Sequence, residues 1–158
     1  MNGVSHITYT EDVVLITLRS QQGQSSLFTE IFQEFAKERI IIDMISQTAP
    51  QGSAVDVSFT VYSTQMVAAL QVISRVRDRY SQLQIMAGTG NCKLHLYGEE
   101  MREISGVAAT ALAALVQTAD ILMITTSEVD ISLVIPASGL EKSLEKLEQT
   151  FGVKPQLQ

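Results

Sequence analysis

Two segments of the sequence combine glycine, serine and charged residues at the start of predicted helices. Arg19–Phe28 and Tyr97–Ala109 each lead from a strand-like run into a helix N-terminus. A helix N-terminus presents free backbone N–H groups and the positive end of the helix dipole, which favour a carboxylate. Glu128, Asp43, or hydroxyl and carbonyl groups of nearby turns are suitable partners for an ammonium. Together these groups have the chemistry to bind a free amino acid.

A polar corner, Thr125–Glu128, is the third feature with binding chemistry. It precedes Val129–Ile135, where apolar and polar residues alternate and predict a half-buried strand. No Gly or Pro marks a turn here, so we interpret the four polar residues as the turn itself. They either contact a ligand or only hydrogen-bond the corner closed. The two helix entrances have a similar alternative, in which Gly106 and Ser26 serve only tight turns.

The remaining reactive side chains show no catalytic or metal-binding pattern. His6 and His95 have no partner at ligand spacing, so we predict no metal site. Cys92 lacks a CxxC or Cys/His pattern and is expected to be structural. The segment Gly88–Asn91, GTGN, precedes a strand and lacks the lysine of a phosphate-binding loop, so we interpret it as a linker. No acid–base pair or nucleophile can be assembled, which predicts no catalytic residue and no cofactor.

The composition restricts the class of protein. The chain has 158 residues, 46% of them hydrophobic, a formal net charge of −6 and a pI of about 4.8. This acidity argues against nucleic acid and anionic membrane surfaces as partners. No apolar run reaches the roughly 18 residues of a membrane-spanning helix, and the N-terminus lacks the pattern of a signal peptide. The single cysteine fits a cytoplasmic location.

The elements that position these residues are predicted from hydrophobic spacing. Helical spacing occurs in four segments: Gln24–Glu38, Thr64–Tyr80, Ser105–Thr118 and Ser138–Phe151. Strand-like runs occur in eight segments: Val4–Tyr9, Val13–Arg19, Arg39–Ser46, Ala54–Tyr62, Leu83–Ala87, Lys93–Gly98, Ile121–Thr126 and Val129–Ile135.

An internal repeat organises these elements. RIIIDMISQT matches TADILMITTS, and VDVSFTV matches VDISLVI. The second copy ends in GVKPQLQ, a poor strand, whereas Val4–Tyr9 is surplus. We therefore predict an α+β fold of two ferredoxin-like βαββαβ units with antiparallel sheets, in which the N-terminal strand completes the second unit. The first unit, residues 11–88, would be inserted in the second, residues 92–153 plus 3–10.

The frame YGEEMREISGVAA followed by ILMITTSEVDISLVI resembles the regulatory region of aspartate kinases, a tandem pair of ACT domains. The resemblance spans Val4 to Val153. It implies a homodimer, formed through ACT–ACT packing, that binds lysine, threonine or both at interfaces between ACT units. Binding would inhibit a kinase domain that phosphorylates aspartate. That catalytic partner is absent from this sequence, which implies either an excised fragment or a separately made regulatory subunit.

The resemblance also assigns effector-binding residues. In the second unit they are Met101, Arg102, Glu103, Ile104, Ser105, Gly106, Val107, Ala108, Thr125, Thr126, Ser127 and Glu128. In the first unit they are Gln22, Gly23, Gln24, Ser25, Ser26, Leu27, Ile42, Asp43, Gln47 and Thr48.

The first unit departs from the family pattern. Gly23, Ser25 and Ser26 replace the Asp, Pro and Gly of its usual Asp-x-Pro-Gly loop, so we favour the second-unit site. In that unit Ser105 replaces the Pro, and Leu122 stands where some lysine-sensitive relatives carry an acid. The alternative function is an ACT dimerisation scaffold that no longer binds an effector.

Overall fold

The computed structural model describes residues 2–21 and 25–158, which form four α-helices, three short 3-10 helices and seven strands. The helices are α1 (Ser25–Lys37), α2 (Met66–Arg79), α3 (Val107–Leu115) and α4 (Leu140–Phe151). The strands are β1 (His6–Gln21), β2 (Ile45–Gln47), β3 (Ala54–Tyr62), β4 (Gln84–Tyr97), β5 (Met123–Thr126), β6 (Asp130–Pro136) and β7 (Gln156–Leu157). Among the described residues, no helix combines the length and apolar character needed to cross a membrane.

The described residues divide into two units, and β1 and β4 each contribute residues to both. The unit Val13–Thr89 orders its strands β2-β3-β1-β4. The β1–β3 pair is antiparallel, with Ile16 opposite Phe59. Both side chains are fully buried, because alternate residues of each strand face the hydrophobic core shared with α1 and α2. The rings of Phe32 and Phe35 pack edge-on against Phe59, with centroids 5.3 and 5.6 Å away.

The second unit contains residues 2–12 and 90–158, and orders its strands β7-β1-β4-β6-β5. The N-terminal strand lies beside β4, where the Ser5 N–H donates to the Tyr97 carbonyl at 2.8 Å. Leu94, Leu133 and Ile131 form part of the core beneath α3 and α4. The predicted fold class is therefore confirmed: both units have the ferredoxin-like strand order, and the N-terminal strand completes the second sheet.

Three predicted strand boundaries are wrong. The segment GTGN does join the two units, whose boundary lies between Thr89 and Gly90, but it does so inside the continuous strand β4 and not as a break between two strands. The predicted runs Val4–Tyr9 and Val13–Arg19 likewise fall mainly in one strand, β1, where Asp12 takes a positive φ of 57°. The run Arg39–Ser46 contributes only its end to a strand, since β2 contains just Ile45–Gln47.

The two strands at the end of the chain also differ from expectation. β6 is buried on both faces rather than one, because Ser132 and Val134 are only 7% and 0% exposed. Val134 lies between its paired residues Lys93 of β4 and Met123 of β5, which flank it on the same face of the sheet. The C-terminal segment GVKPQLQ has a poor strand pattern but nevertheless contains the short strand β7, which pairs in parallel with Thr8 and Tyr9 of β1.

Candidate functional site

The N-terminus of α3 is shaped by a glycine. Gly106 is the N-cap residue and takes the left-handed conformation, with φ 86° and ψ 4°, and it supplies no capping side chain. The first intrahelical bond runs from the Thr110 N–H to the Gly106 carbonyl at 2.9 Å. The N–H groups of Val107, Ala108 and Ala109 therefore have no acceptor within the helix. These groups, together with the helix dipole, favour a negatively charged ligand atom.

The segment before α3 is a short 3-10 helix, Glu99–Arg102, attached to the polar corner. The Gly98 N–H donates to the Val129 carbonyl at 2.9 Å, and the Met101 N–H donates back to the Gly98 carbonyl at 3.1 Å. The Ile104 N–H donates to the Glu100 carbonyl at 3.1 Å. These bonds hold the side chains of Met101 and Ile104 beside the helix N-terminus.

The polar corner is tighter than predicted. Thr125 and Thr126 belong to β5, so the turn itself contains only residues 127–129. The Ser127 N–H donates to the Asp130 carbonyl at 3.0 Å, and the Ser127 hydroxyl accepts from the Val129 N–H at 3.2 Å. Ser127 thus closes the corner with its N–H group and its hydroxyl. It takes the place of the glycine or proline that such a turn usually contains.

The helix N-terminus and the corner face each other across a cleft of about 420 Å³, the α3 cleft. Its lining residues are Met101, Arg102, Ile104, Gly106, Val107, Ala108, Thr126, Ser127, Glu128 and Ile131. Three predicted site residues, Glu103, Ser105 and Thr125, do not line it. Thr125 pairs with Ser132 and so faces the opposite side of the sheet from Thr126. Ile131 was missed by sequence reasoning, although its alternation with Leu133 places it on the helix-facing side of the sheet.

The charged residues of the cleft lie at its mouth. Arg102 Nη1 is 3.4 Å from the Glu128 carboxylate, and Arg102 Nε is 3.5 Å from the Glu99 carboxylate. The side chains of Arg102 and Glu128 are 54% and 79% exposed, so this pair contributes less than about 1 kcal/mol. The Tyr97 hydroxyl also donates to Glu99, and this hydrogen bond raises the pKa of Tyr97. The apolar walls and the charged groups at the mouth suit a small ligand that has both an apolar part and charged groups.

The predicted first-unit residues do not line this cleft. Gln22, Gly23 and Gln24 lie outside the described residues. Ser25, Ser26 and Leu27 form the first turn of α1, and the Leu27 side chain is buried in the core. The remaining positions follow α1 or lie in and after β2: Ile42, Asp43, Gln47 and Thr48. Asp43 and Thr48 are exposed, and their N–H groups donate to the carbonyls of Thr60 and Asp56.

The other reactive residues show no such convergence. Cys92 is buried, and burial, followed by the charges of Glu11 and Asp12, raises the pKa of its thiol. His95 Nε2 lies 3.4 Å from a carboxylate oxygen of Asp130 on the sheet surface. Within residues 2–21 and 25–158, no three His, Cys, Asp or Glu side chains are grouped to bind a metal ion.

Comparison with known proteins connects this cleft to a family. Residues 94–151 match the family model of the ACT domain, and this segment contains every residue of the cleft. The chain is 28% identical to an aspartokinase of Helicobacter pylori and 26% identical to one of Pseudomonas aeruginosa, each over 149 residues and 94% of the chain. The regulatory subunit of aspartate kinase from Thermus thermophilus superimposes with a TM-score of 0.84 at 29% identity, covering 94% of this chain and 99% of that one. The chain is thus similar, over nearly its whole length, to the regulatory region of aspartate kinases.

The relatives differ in how much of their own length the chain matches: the regulatory subunit is matched almost completely, and the longer aspartokinases only in part. The chain spans 36% of the length of the curated aspartokinases that it matches. In the aspartate kinase from Synechocystis, which superimposes with a TM-score of 0.87 at 25% identity, the match covers 98% of this chain but 28% of that one. The resemblance is thus to the regulatory region, and the catalytic domain of these larger relatives has no counterpart in this sequence.

Proposed function

We propose that this chain is an amino-acid-binding regulatory module of an aspartate kinase, with its effector in the α3 cleft. The observation that supports this best is the convergence of free helix N–H groups and a carboxylate, Glu128, on one cleft within the ACT-matched segment. Lysine and threonine, the effectors implied by the family resemblance, are the first candidates. The kinase catalytic domain or subunit is the partner on which the module would act.

The geometry supports one binding mode. The effector carboxylate accepts hydrogen bonds from the N–H groups of Val107 and Ala108, as favoured by the helix dipole. Its ammonium pairs with Glu128 in place of Arg102, an exchange that costs little because the existing pair is exposed. The aliphatic part of the effector packs against Ile104 and Ile131, where its burial is favourable by about 25 cal/mol per Å².

We propose a homodimer as the means of regulation. Leu112 of α3 and Val116 directly after it are 38% and 72% exposed, and Ile124 of the edge strand β5 and Leu122 directly before it are 38% and 45% exposed. An exposed strand edge with apolar neighbours is a favourable surface for packing against a second ACT unit. An effector acts on such an assembly only if it binds one dimer arrangement more tightly than another.

A melting screen of the twenty amino acids tests the proposal. At one hundred times its dissociation constant, an effector should stabilise the chain by about 2.7 kcal/mol. For a chain of this size, that raises the midpoint of unfolding by about 5–10 °C. We expect this shift with lysine or threonine and no shift with their D-enantiomers. Absence of a shift with all twenty amino acids would contradict the binding function.

The divergence of the first-unit loop favours one alternative, a dimerisation scaffold without an effector. Gly23, Ser25 and Ser26 replace the family's Asp, Pro and Gly there. Sedimentation equilibrium with and without amino acids separates the two functions. Under the scaffold alternative the chain dimerises with the same affinity in every solution, and the kinase that contains or binds it is not inhibited by any amino acid.

A further inference from the structure

The basic residues of the chain are unevenly distributed. Residues 13–89 contain six acidic and six basic residues, whereas the rest of the chain contains 11 acidic and five basic ones. The formal net charge of −6 is therefore carried outside this unit. Five of the six basic residues within it are arginines, whose planar guanidinium groups match phosphate and carboxylate oxygens. The first unit is thus the part of this acidic chain in which an anion is bound at the lowest electrostatic cost.

Two of these arginines line a cleft of about 460 Å³ at one end of the unit. Its walls come from the end of β1, the start of β3 and the connection between α2 and β4. The lining residues are Arg19, Ser20, Gln21, Ser53, Ala54, Arg77, Ser81, Gln82, Leu83 and Gln84. None of these is acidic, most carry hydroxyl or amide groups, and the large apolar residue among them, Leu83, is buried. The walls therefore offer several hydrogen-bond donors to a polar ligand.

One of the two arginines is held in place by an ion pair. Arg19 Nε and Nη2 donate to the two carboxylate oxygens of Asp56, at 2.7 and 2.9 Å. This pair uses two of the five guanidinium N–H groups and leaves three for a ligand. The ion pair fixes the orientation of the Arg19 guanidinium, and Asp56 itself does not line the cleft.

The other arginine, Arg77, is the one on α2 that has no carboxylate partner among the described residues. Arg75 and Arg79 form ion pairs with Glu38 and Glu30, respectively. Arg77, between them in sequence, forms no ion pair with the described residues, and it is the member of the three that lines this cleft. The helix dipole favours a positive charge in the last turn of α2, which accounts for the presence of Arg77. It does not account for the fact that Arg75 and Arg79 form ion pairs with described residues and Arg77 does not.

We propose that this cleft is a binding site for a small phosphate-bearing anion, with Arg77 and Arg19 as its charged contacts. A volume of about 460 Å³ lies within the range of small-molecule sites and exceeds that of one phosphate group, which favours a ligand with more than one anionic group. The hydroxyl and amide groups of Ser81 and Gln82 supply additional donors. The site is distinct from the α3 cleft and does not depend on effector binding there.

Calorimetric titration of the whole chain with pyrophosphate tests the site, with citrate as the carboxylate comparison. We expect saturable pyrophosphate binding that weakens about tenfold in Arg77→Gln, as loss of a charge-assisted fork predicts. Arg75→Gln removes the same charge from the same helix outside the cleft, and should leave binding unchanged. In NMR titrations, the backbone amide signals of Ser81 and Gln82 should shift.

Several results would overturn this site. They are an absence of saturable binding, an equal weakening in Arg75→Gln and Arg77→Gln, and signal shifts that avoid residues 81 and 82. Citrate binding tighter than pyrophosphate binding would overturn the assignment of the ligand as a phosphate. Thermal unfolding of both variants without ligand checks that the substitutions leave the fold intact, which we expect because both arginines are exposed.

Discussion

Replacing Gly98 by alanine should lower the free energy of unfolding by about 3 kcal/mol, as severe overpacking can. A Cβ atom at this position would lie 1.7 Å from the Gly3 carbonyl oxygen, 2.8 Å from the Gly3 carbonyl carbon and 3.2 Å from the Val4 Cα. All three are backbone atoms, so no side-chain rotation relieves the contact. Gly98 has an extended backbone with φ −173°, so the cost is steric rather than conformational.

The displaced element would be the N-terminal segment that completes the second sheet. Moving Gly3 and Val4 away from Gly98 breaks the hydrogen bond from the Ser5 N–H to the Tyr97 carbonyl. It also exposes Val4, which is 7% exposed in the native fold and contributes about 1.5–3 kcal/mol through its burial. The N-terminus of Gly98→Ala should therefore be cleaved by protease faster than that of the native chain.

Gly90→Ala is a matched control for this prediction, since Gly90 lies in β4, the strand that ends one residue before Gly98. Its φ is +71°, and no atom lies within 4 Å of an added Cβ. The free energy of unfolding of Gly90→Ala should therefore fall by about 1 kcal/mol, the cost of an alanine in the left-handed conformation. Urea unfolding measures both variants. If Gly98→Ala lost no more stability than Gly90→Ala, the close approach of the Gly3 carbonyl would be contradicted.

The sequence predicts the fold through its repeat, but not how its strands continue. The pairing of the surplus N-terminal strand follows from counting elements in the two copies. The continuity of β4 does not, because Gly88–Asn91 has the composition of a turn, and its glycines are tolerated by a local irregularity at Gly90. Likewise, β1 continues through Asp12 although this residue has a positive φ. Local propensity is overridden here by pairing with neighbouring strands.

The candidate site was only partly predictable for a related reason. Thr125 and Thr126 look equivalent in sequence, yet the strand continues through both and so directs them to opposite faces. The corner is closed by the Ser127 hydroxyl, which accepts from the N–H two residues further on, a local serine turn that is a weaker sequence signal than glycine or proline. Ile131 has the pattern of a core residue, and its position opposite Thr126 near the start of β6 makes it part of the cleft wall as well.

Ala108→Glu should abolish effector binding while leaving the fold intact. Ala108 lines the α3 cleft in the first helical turn, so a glutamate there places a carboxylate where the effector carboxylate is proposed to bind. The stabilisation of about 2.7 kcal/mol expected from an effector at one hundred times its dissociation constant should disappear. Without ligand, the variant should lose little stability: Ala108 is only partly buried, and a negative charge in the first turn interacts favourably with the helix dipole by about 0.3–1 kcal/mol.

Ala109→Glu separates occupation of the cleft from the general effect of charge. Ala109 is the next residue of the same turn, but it is exposed and does not line the cleft. Its substitution adds the same charge and a similar dipole interaction, so binding should persist. Melting curves of both variants with the amino acid that shifts the native chain give the comparison. An undiminished shift in Ala108→Glu would exclude the α3 N-terminus as the carboxylate site, whereas loss of the shift in both variants would indicate that the added charge acts through the net charge of the unit.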